Sequence, residues 1–279
     1  MIKKAIFPMA GLGTRFLPLS KAVSKELLPL ADKPAIQYLI EEAAASGITE
    51  VIFVVRPGKK SETLNYFKKS PKLEKILEER KDDDIAKELE GLEEISKNIS
   101  FSSCIQKNPL GDGNAVLQAK KLAGEEPFAV FFVDDIVDSK IPCLSQMLQI
   151  FKTCRRPVIA LKKLPKEKIS SRLYKIKGIV EKPPAESAPS DLAVMGRYIF
   201  TEEVFDYLKK TVPNEKGEII LASAIGDMIK DGRIIYGYEI EGEWLECGDK
   251  LRWLKSHLYF SLKHPQFGPE IKKYLKEKK

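Results

Sequence analysis

The chain has 279 residues, 43% hydrophobic and 31% charged, which is enough to bury a full core and is the balance of a soluble globular protein. No apolar run approaches the ~20 residues that cross a bilayer, and the opening MIKKAIFPMAGLG lacks the apolar core of a signal peptide, so a cytoplasmic protein without a membrane partner is expected. The net charge of +7 raises nucleic acid as a partner, but residues 162–177 (net +6) and 272–279 (net +4) carry it and leave −3 elsewhere. No aromatic-interleaved basic face accompanies them, so nucleic acid is not expected and KKYLKEKK reads as a solvated tail. Four cysteines without a C-x-x-C pair and two late histidines, His257 and His264, argue against a disulfide framework, a zinc knuckle or a histidine metal cage.

In chain order, Ile6–Met9 reads as the first buried strand. After it comes AGLGTRFLPLSKAVSKELLPL, residues 10–30, where Gly11 and Gly13 allow close approach to the backbone. Arg15, Lys21 and Lys25 then space three cations along the loop, a composition suited to polyphosphate. The pattern is neither a Rossmann fingerprint, because Phe16 stands where a third glycine is needed, nor a P-loop. A tight turn with solvated cations is the competing reading.

IQYLIEEAAAS (36–46) places Ile36, Leu39, Ile40, Ala43 and Ala44 on one helical face, with Gly47 as its stop. Val51–Val55 is the next buried strand. Residues 72–97 are predicted as an exposed helical excursion whose stripe of Leu73, Ile76, Leu77, Ile85, Leu89 and Leu92 is buried. QKNPLGDGNA (106–115) offers Gln106, a donor and acceptor for a base edge, beside Gly111 and Gly113, which could lie against a flat ring. A helix over 115–122 follows.

Phe128–Val133 is a third buried strand, and Asp134-Asp135 at its end suits Mg²⁺ as well as it suits a helix cap. Helix 144–151 and strand Val158–Leu161 come next. In KGIVEKPPAE, an Ile179-Val180 strand is expected to hold Glu181 and Lys182 at its end for sugar hydroxyls and a phosphate, or as a surface ion pair. GEWLECGDK (242–250) places Glu246 in an aromatic-anchored turn as a second candidate metal ligand. Continuous apolar strands alternating with helices predict an α/β fold, a doubly wound and mostly parallel sheet. Residues 1–248 read as one domain and 249–279 as a C-terminal helical appendage.

Together, A-G-L-G-T-R-F-L-P, S-K-E-L-L-P, K-P-A-I-Q-Y (33–38), G-I-T-E (47–50), G-x-G-x-A-V (111–116), D-D (134–135), G-I-V-E-K-P (178–183), A-P-S-D-L-A-V-M-G-R-Y (188–198) and W-L-E-C-G-D-K-L (244–251) resemble the bacterial UTP–glucose-1-phosphate uridylyltransferases, or UDP-glucose pyrophosphorylases, of the sugar-nucleotidyltransferase superfamily. The resemblance implies a Rossmann-like nucleotidyltransferase fold, with a nucleotide half of about residues 1–140 and a sugar-phosphate half of about 141–248. It implies that UTP and glucose 1-phosphate become UDP-glucose and pyrophosphate with Mg²⁺, in a homo-oligomer of two or four subunits.

By resemblance, Ala10, Gly11, Gly13, Glu26, Gln106 and Gly111 surround the nucleotide, and Arg15 and Lys25 hold the triphosphate. Asp134 and Glu246 hold Mg²⁺, Glu181 the glucose hydroxyls, and Lys182 the sugar phosphate. The chain departs from the pattern where Asn114 replaces histidine, Glu246 replaces aspartate, and EIILASAI (218–225) replaces a polar pair with Ala222 and Ser223. A sugar-lining tyrosine-glycine turn has no counterpart between Leu161 and Lys177. Another sugar 1-phosphate or nucleotide, or a nucleotide-binding regulatory homologue with weakened turnover, are the alternatives.

Overall fold

Apolar runs with no polar alternation must be covered on both faces, and the runs 6–9, 51–55, 128–133 and 158–161 are. The computed structural model describes residues 2–58, 60–163 and 172–278. One sheet holds β1 (Lys4–Pro8), β2 (Glu50–Val55), β3 (Ser100–Ile105), β4 (Phe128–Phe131), β5 (Val158–Lys163), β6 (Leu173–Lys175), β7 (Leu192–Phe200) and β8 (Tyr236–Glu239). Their spatial order is β3-β2-β1-β4-β7-β5-β8-β6. The first four are mutually parallel. Beyond them the sheet is mixed, because β7 runs antiparallel to both β4 and β5, whereas β8 is parallel to β5 and antiparallel to β6.

Successive side chains of β1 divide between two cores, Phe7 to one face and Ile6 to the other. Helices Ala35–Ala45 and Cys143–Cys154 cover the Phe7 face, where the Phe7 and Phe131 rings stack at 4.8 Å. Helices Asp112–Gln118, Val204–Lys210 and Leu221–Lys230 cover the Ile6 face. The predicted stripe of helix Ala35–Ala45 is buried at Ile36, Leu39, Ile40 and Ala43.

Three local expectations are corrected. The 72–97 excursion forms helices Pro71–Arg80 and Asp83–Lys97. Leu77 is buried and Leu92 packs on the core, but Leu73 and Ile85 are exposed, since a stripe is buried only where a neighbour covers it. Residues 176–180 form no ladder and Val180 is exposed, so Glu181 and Lys182 follow an irregular segment rather than a strand. Glu246 lies not in a turn but on strand Glu243–Glu246, paired antiparallel with Asp135–Asp138.

Helix Lys250–Lys263 starts at Asp249, whose side chain accepts from the Arg252 N–H at 3.0 Å. It seats on the domain through Trp253, which donates to the Pro29 carbonyl, and Ser256, which donates to that of Glu246. Helix Gly268–Glu277 follows with its lysines exposed. The segment that is short on the sugar side falls largely on 164–171, outside the described residues. Among the described residues no helix is long and apolar enough to cross a membrane.

Candidate active site

Because β1, β2, β3 and β4 are parallel, their carboxyl ends open on one edge of the sheet, where open α/β sheets bind ligands. The loop from Met9 follows β1, Arg56 follows β2, Gln106 follows β3, and Asp134-Asp135 comes shortly after β4. Four separate sequence segments therefore reach one crevice.

The first loop is built from three single turns, Thr14–Phe16, Leu19–Lys21 and Lys25–Leu27. Phe16 is buried and meets Trp253 edge-on, which pins the loop to the C-terminal helix. Gly11, Gly13, Lys25, Glu26 and Arg56 line a shallow cleft that is open to solvent, and Ala10 is buried beside Gly11. Burial pushes the Glu26 carboxyl above the usual range against the pull of Lys25 and Arg56.

Gln106 is buried and donates its amide N–H₂ to the Gly111 carbonyl and to Asn114 Oδ1, both at 2.9 Å. Asn114, a departure from the family pattern, thus orients Gln106. Gly111 has φ +94°, and a Cβ there would stand 2.5 Å from the Ile219 carbonyl oxygen. One at Gly113 would stand 2.9 Å from the same oxygen. These bare Cα atoms therefore accommodate segment 218–221 of the chain itself, not the flat ring that the sequence led one to expect there. Asp112 Oδ1 straps it down, accepting from the Gly113 N–H at 2.6 Å and the Leu221 N–H at 2.9 Å. Burial, with the Glu181 charge adding to it, pushes the Asp112 carboxyl up.

Lys25 Nζ and Asp134 Oδ2 form an ion pair at 3.0 Å. Burial works against both charges, yet their mutual attraction prevails, holding Asp134 below the usual carboxylate range and Lys25 above the usual ammonium range. A Cβ placed on Gly248 would lie 3.6 Å from Asp134 Oδ2, 3.7 Å from Arg15 Nη1 and 3.8 Å from Glu246 Oε1. Arg15, Lys25, Asp134 and Glu246 thus converge beside Gly248. Glu246 also pairs with Arg252. Asp135 Oδ1 accepts from Trp244 Nε1 at 2.7 Å, and burial plus the Asp134 charge push its carboxyl up to about 7.

On the other side, Glu181 and Lys182 pair with each other at 2.8 Å, and the Lys182 side chain is 75% exposed. Lys182 holds φ +43°, unusual for a residue with a side chain. Its ammonium is turned to Glu181 and solvent. Tyr198 is buried on β7, where burial and the charges of Asp112, Asp135 and Glu181 push its hydroxyl well above its ordinary value.

Residues 4–258 match the nucleotidyl transferase family. The chain belongs to that family. It is 39% identical to the UTP–glucose-1-phosphate uridylyltransferase of Staphylococcus haemolyticus, over 99% of this chain and 98% of the relative. Its fold matches a UTP-bound UGPase from Acinetobacter baumannii at a TM-score of 0.90 with 36% identity, each chain covered in full. It also matches a UDP-glucose pyrophosphorylase complexed with UDP-glucose at a TM-score of 0.83 with 34% identity, over 95% of this chain and 100% of the other. The matches agree with the doubly wound nucleotidyltransferase architecture described above.

For this family member, sequence reasoning missed three residues. Arg56 lines the cleft and could have been found, because it directly follows the buried run VIFVV. Asp112 stands between Gly111 and Gly113, where the glycines draw the eye to the backbone rather than to its carboxylate. Arg197 lies within the motif A-P-S-D-L-A-V-M-G-R-Y, where nothing marks its partner: wholly buried on β7, it donates to Glu42 through Nε at 3.1 Å and Nη2 at 3.0 Å. Its Nη1 donates to the carbonyls of Phe132 and Gly196, and its guanidinium lies 4.4 Å from the Phe131 ring centre. It braces the turn that leads into Asp134.

Proposed function

We infer that this chain transfers the uridylyl group of UTP to glucose 1-phosphate, forming UDP-glucose and releasing pyrophosphate. The observation that supports it best is the meeting of Arg15, Lys25, Asp134 and Glu246 at the strand ends, in a fold that matches a UTP-bound relative along its whole length. Transfer requires the sugar phosphate in line with the α-phosphorus, opposite the leaving pyrophosphate, with the charge of both neutralised. No nucleophilic side chain is needed.

Arg15 and Lys25 supply the cations for the triphosphate, and Gly11 and Gly13 the backbone over which it lies. Ala10, Glu26, Gln106 and Gly111 would bound the uridine, Glu181 the glucose hydroxyls and Lys182 the sugar phosphate. Asp134 and Glu246 fit Mg²⁺ by their chemistry, two hard carboxylates that reach to within 3.6 and 3.8 Å of one point beside Gly248. That suits an ion that completes its octahedron with phosphate oxygens and water. When bound, Mg²⁺ would neutralise phosphate charge. The Lys25–Asp134 pair keeps both charges compensated in the free protein. Residues 1–140 would then serve the nucleotide and 141–248 the sugar phosphate, with 249–279 as a brace. Ala222 and Ser223, in place of the family's polar pair beside the Asp112 strap, favour a second reading in which another sugar 1-phosphate is accepted.

Pyrophosphate release measured across a panel of nucleoside triphosphates and sugar 1-phosphates tests both readings. Arg15→Ala and Lys25→Ala should lose about 10²-fold or more in turnover, the usual cost of removing a preorganised charge partner, and because Lys25→Ala also strips Asp134 of its cation, its folding is checked by thermal unfolding alongside. A near-parent rate in either variant would remove that residue from the triphosphate role.

A further inference from the structure

Asp135 has no part in the transfer described above, yet its surroundings are shaped for it. Its Oδ1 accepts the Trp244 indole N–H at 2.7 Å. Its Oδ2 occupies the space that a side chain on Gly196 would fill, since a Cβ there would lie 2.4 Å from that oxygen and 2.5 Å from Phe132 Cβ. Trp244 belongs to strand Glu243–Glu246, and in its register Glu246 stands opposite Asp135 itself. The two strands are separated by about a hundred residues of chain. Behind the turn, Arg197 holds the Phe132 and Gly196 carbonyls. The Asp134 carbonyl in turn accepts from the Cys247 N–H at 2.6 Å, on the far side of Glu246.

We propose that Asp135 is a positioning residue: through Trp244 it clamps the strand that carries Glu246 to the turn that carries Asp134, and so sets the separation of the two metal-binding carboxylates. The inference rests on the metal role given to Asp134 and Glu246 under the proposed function. An ion that demands near-ideal octahedral geometry is sensitive to that separation. Outer contacts that fix a ligand's orientation typically change metal affinity 10–100-fold when removed. The Gly196 niche selects for a side chain of this shape, and Asn keeps both the shape and an oxygen able to accept from the indole.

The test uses the full chain and four variants, Asp135→Asn, Asp135→Ala, Trp244→Phe and the double Asp135→Ala/Trp244→Phe. UTP binding is measured by calorimetry against Mg²⁺ concentration, and thermal unfolding without metal alongside. The half-saturating Mg²⁺ should rise about tenfold or more in Asp135→Ala and Trp244→Phe. It should stay close to the parent value in Asp135→Asn. The double variant should be no worse than either single, because the two residues act as one unit.

If Asp135→Asn fails together with Asp135→Ala, Asp135 is itself a ligand and the positioning role is overturned. Lower melting temperatures with an unmoved Mg²⁺ requirement would make the clamp merely structural and overturn it too. Metal-independent UTP binding in the parent protein would remove the metal role itself, and the clamp with it, an outcome distinct from the other two.

Discussion

Replacing Arg197 with methionine strips Glu42 of its cation inside the protein. Glu42 is only 9% exposed and would retain the Leu144 N–H, 3.1 Å from Oε1, as its remaining donor. The Phe132 and Gly196 carbonyls would keep the Asp135 and Phe132 N–H groups, so the stranded carboxylate dominates the cost. Breaking a buried ion pair by removing one partner costs about 3–5 kcal/mol. For a domain of this size each kcal/mol moves the melting temperature by about 2–4 °C, which gives a fall of roughly 6–20 °C.

Adding Glu42→Leu to Arg197→Met removes the orphaned charge and leaves the Leu144 N–H without an acceptor, a residual cost of about 1–3 kcal/mol. The double variant should therefore be more stable than Arg197→Met alone. Urea unfolding of the parent, both singles and the double, with the slope of the transition held constant, completes the cycle. An Arg197→Met variant within about 1 kcal/mol of the parent, the range of an ordinary substitution, would refute the reasoning. So would a double variant no more stable than that single.

Gly111→Ala combines backbone strain of about 1–3 kcal/mol, at a φ/ψ combination open essentially to glycine alone, with overpacking of about 1–3 kcal/mol against Ile219. Gly217→Ala, at φ +76° with nothing within 4 Å, should carry the strain alone; equal losses in urea unfolding would show that the contact with segment 218–221 is unimportant. For Asp112, the folded-state pKa is raised by burial. The stability that its protonated form contributes is full below the ordinary carboxylate value of about 4 and is lost as pH rises through the raised value. Asp112→Asn keeps an oxygen for Gly113 and Leu221, so it should gain stability relative to the parent as pH rises from about 4 through the raised value. A difference in melting temperature that does not change with pH would contradict this.

Much of the fold and part of the candidate site is local information. Strands such as VIFVV and FAVFFV are legible because burial on both faces demands uninterrupted apolar side chains. The helix from Ala35 is legible because one face in 3.6-residue period must meet the sheet. Arg15, Lys25 and Asp134 could be chosen because they follow such strands, and a parallel sheet delivers those loops to one edge. The antiparallel direction of β7 could not be read, since a strand covered on both faces has the same composition in either direction.

Nor could the sequence show that Glu246 stands opposite Asp135 on a strand, that Asp112 holds the first N–H of helix Leu221–Lys230, or that Arg197 neutralises Glu42 across 155 positions. Periodicity records only which way a side chain faces relative to its near neighbours. Which distant group meets it there is decided when the sheet closes and buried charges and polar atoms must find partners.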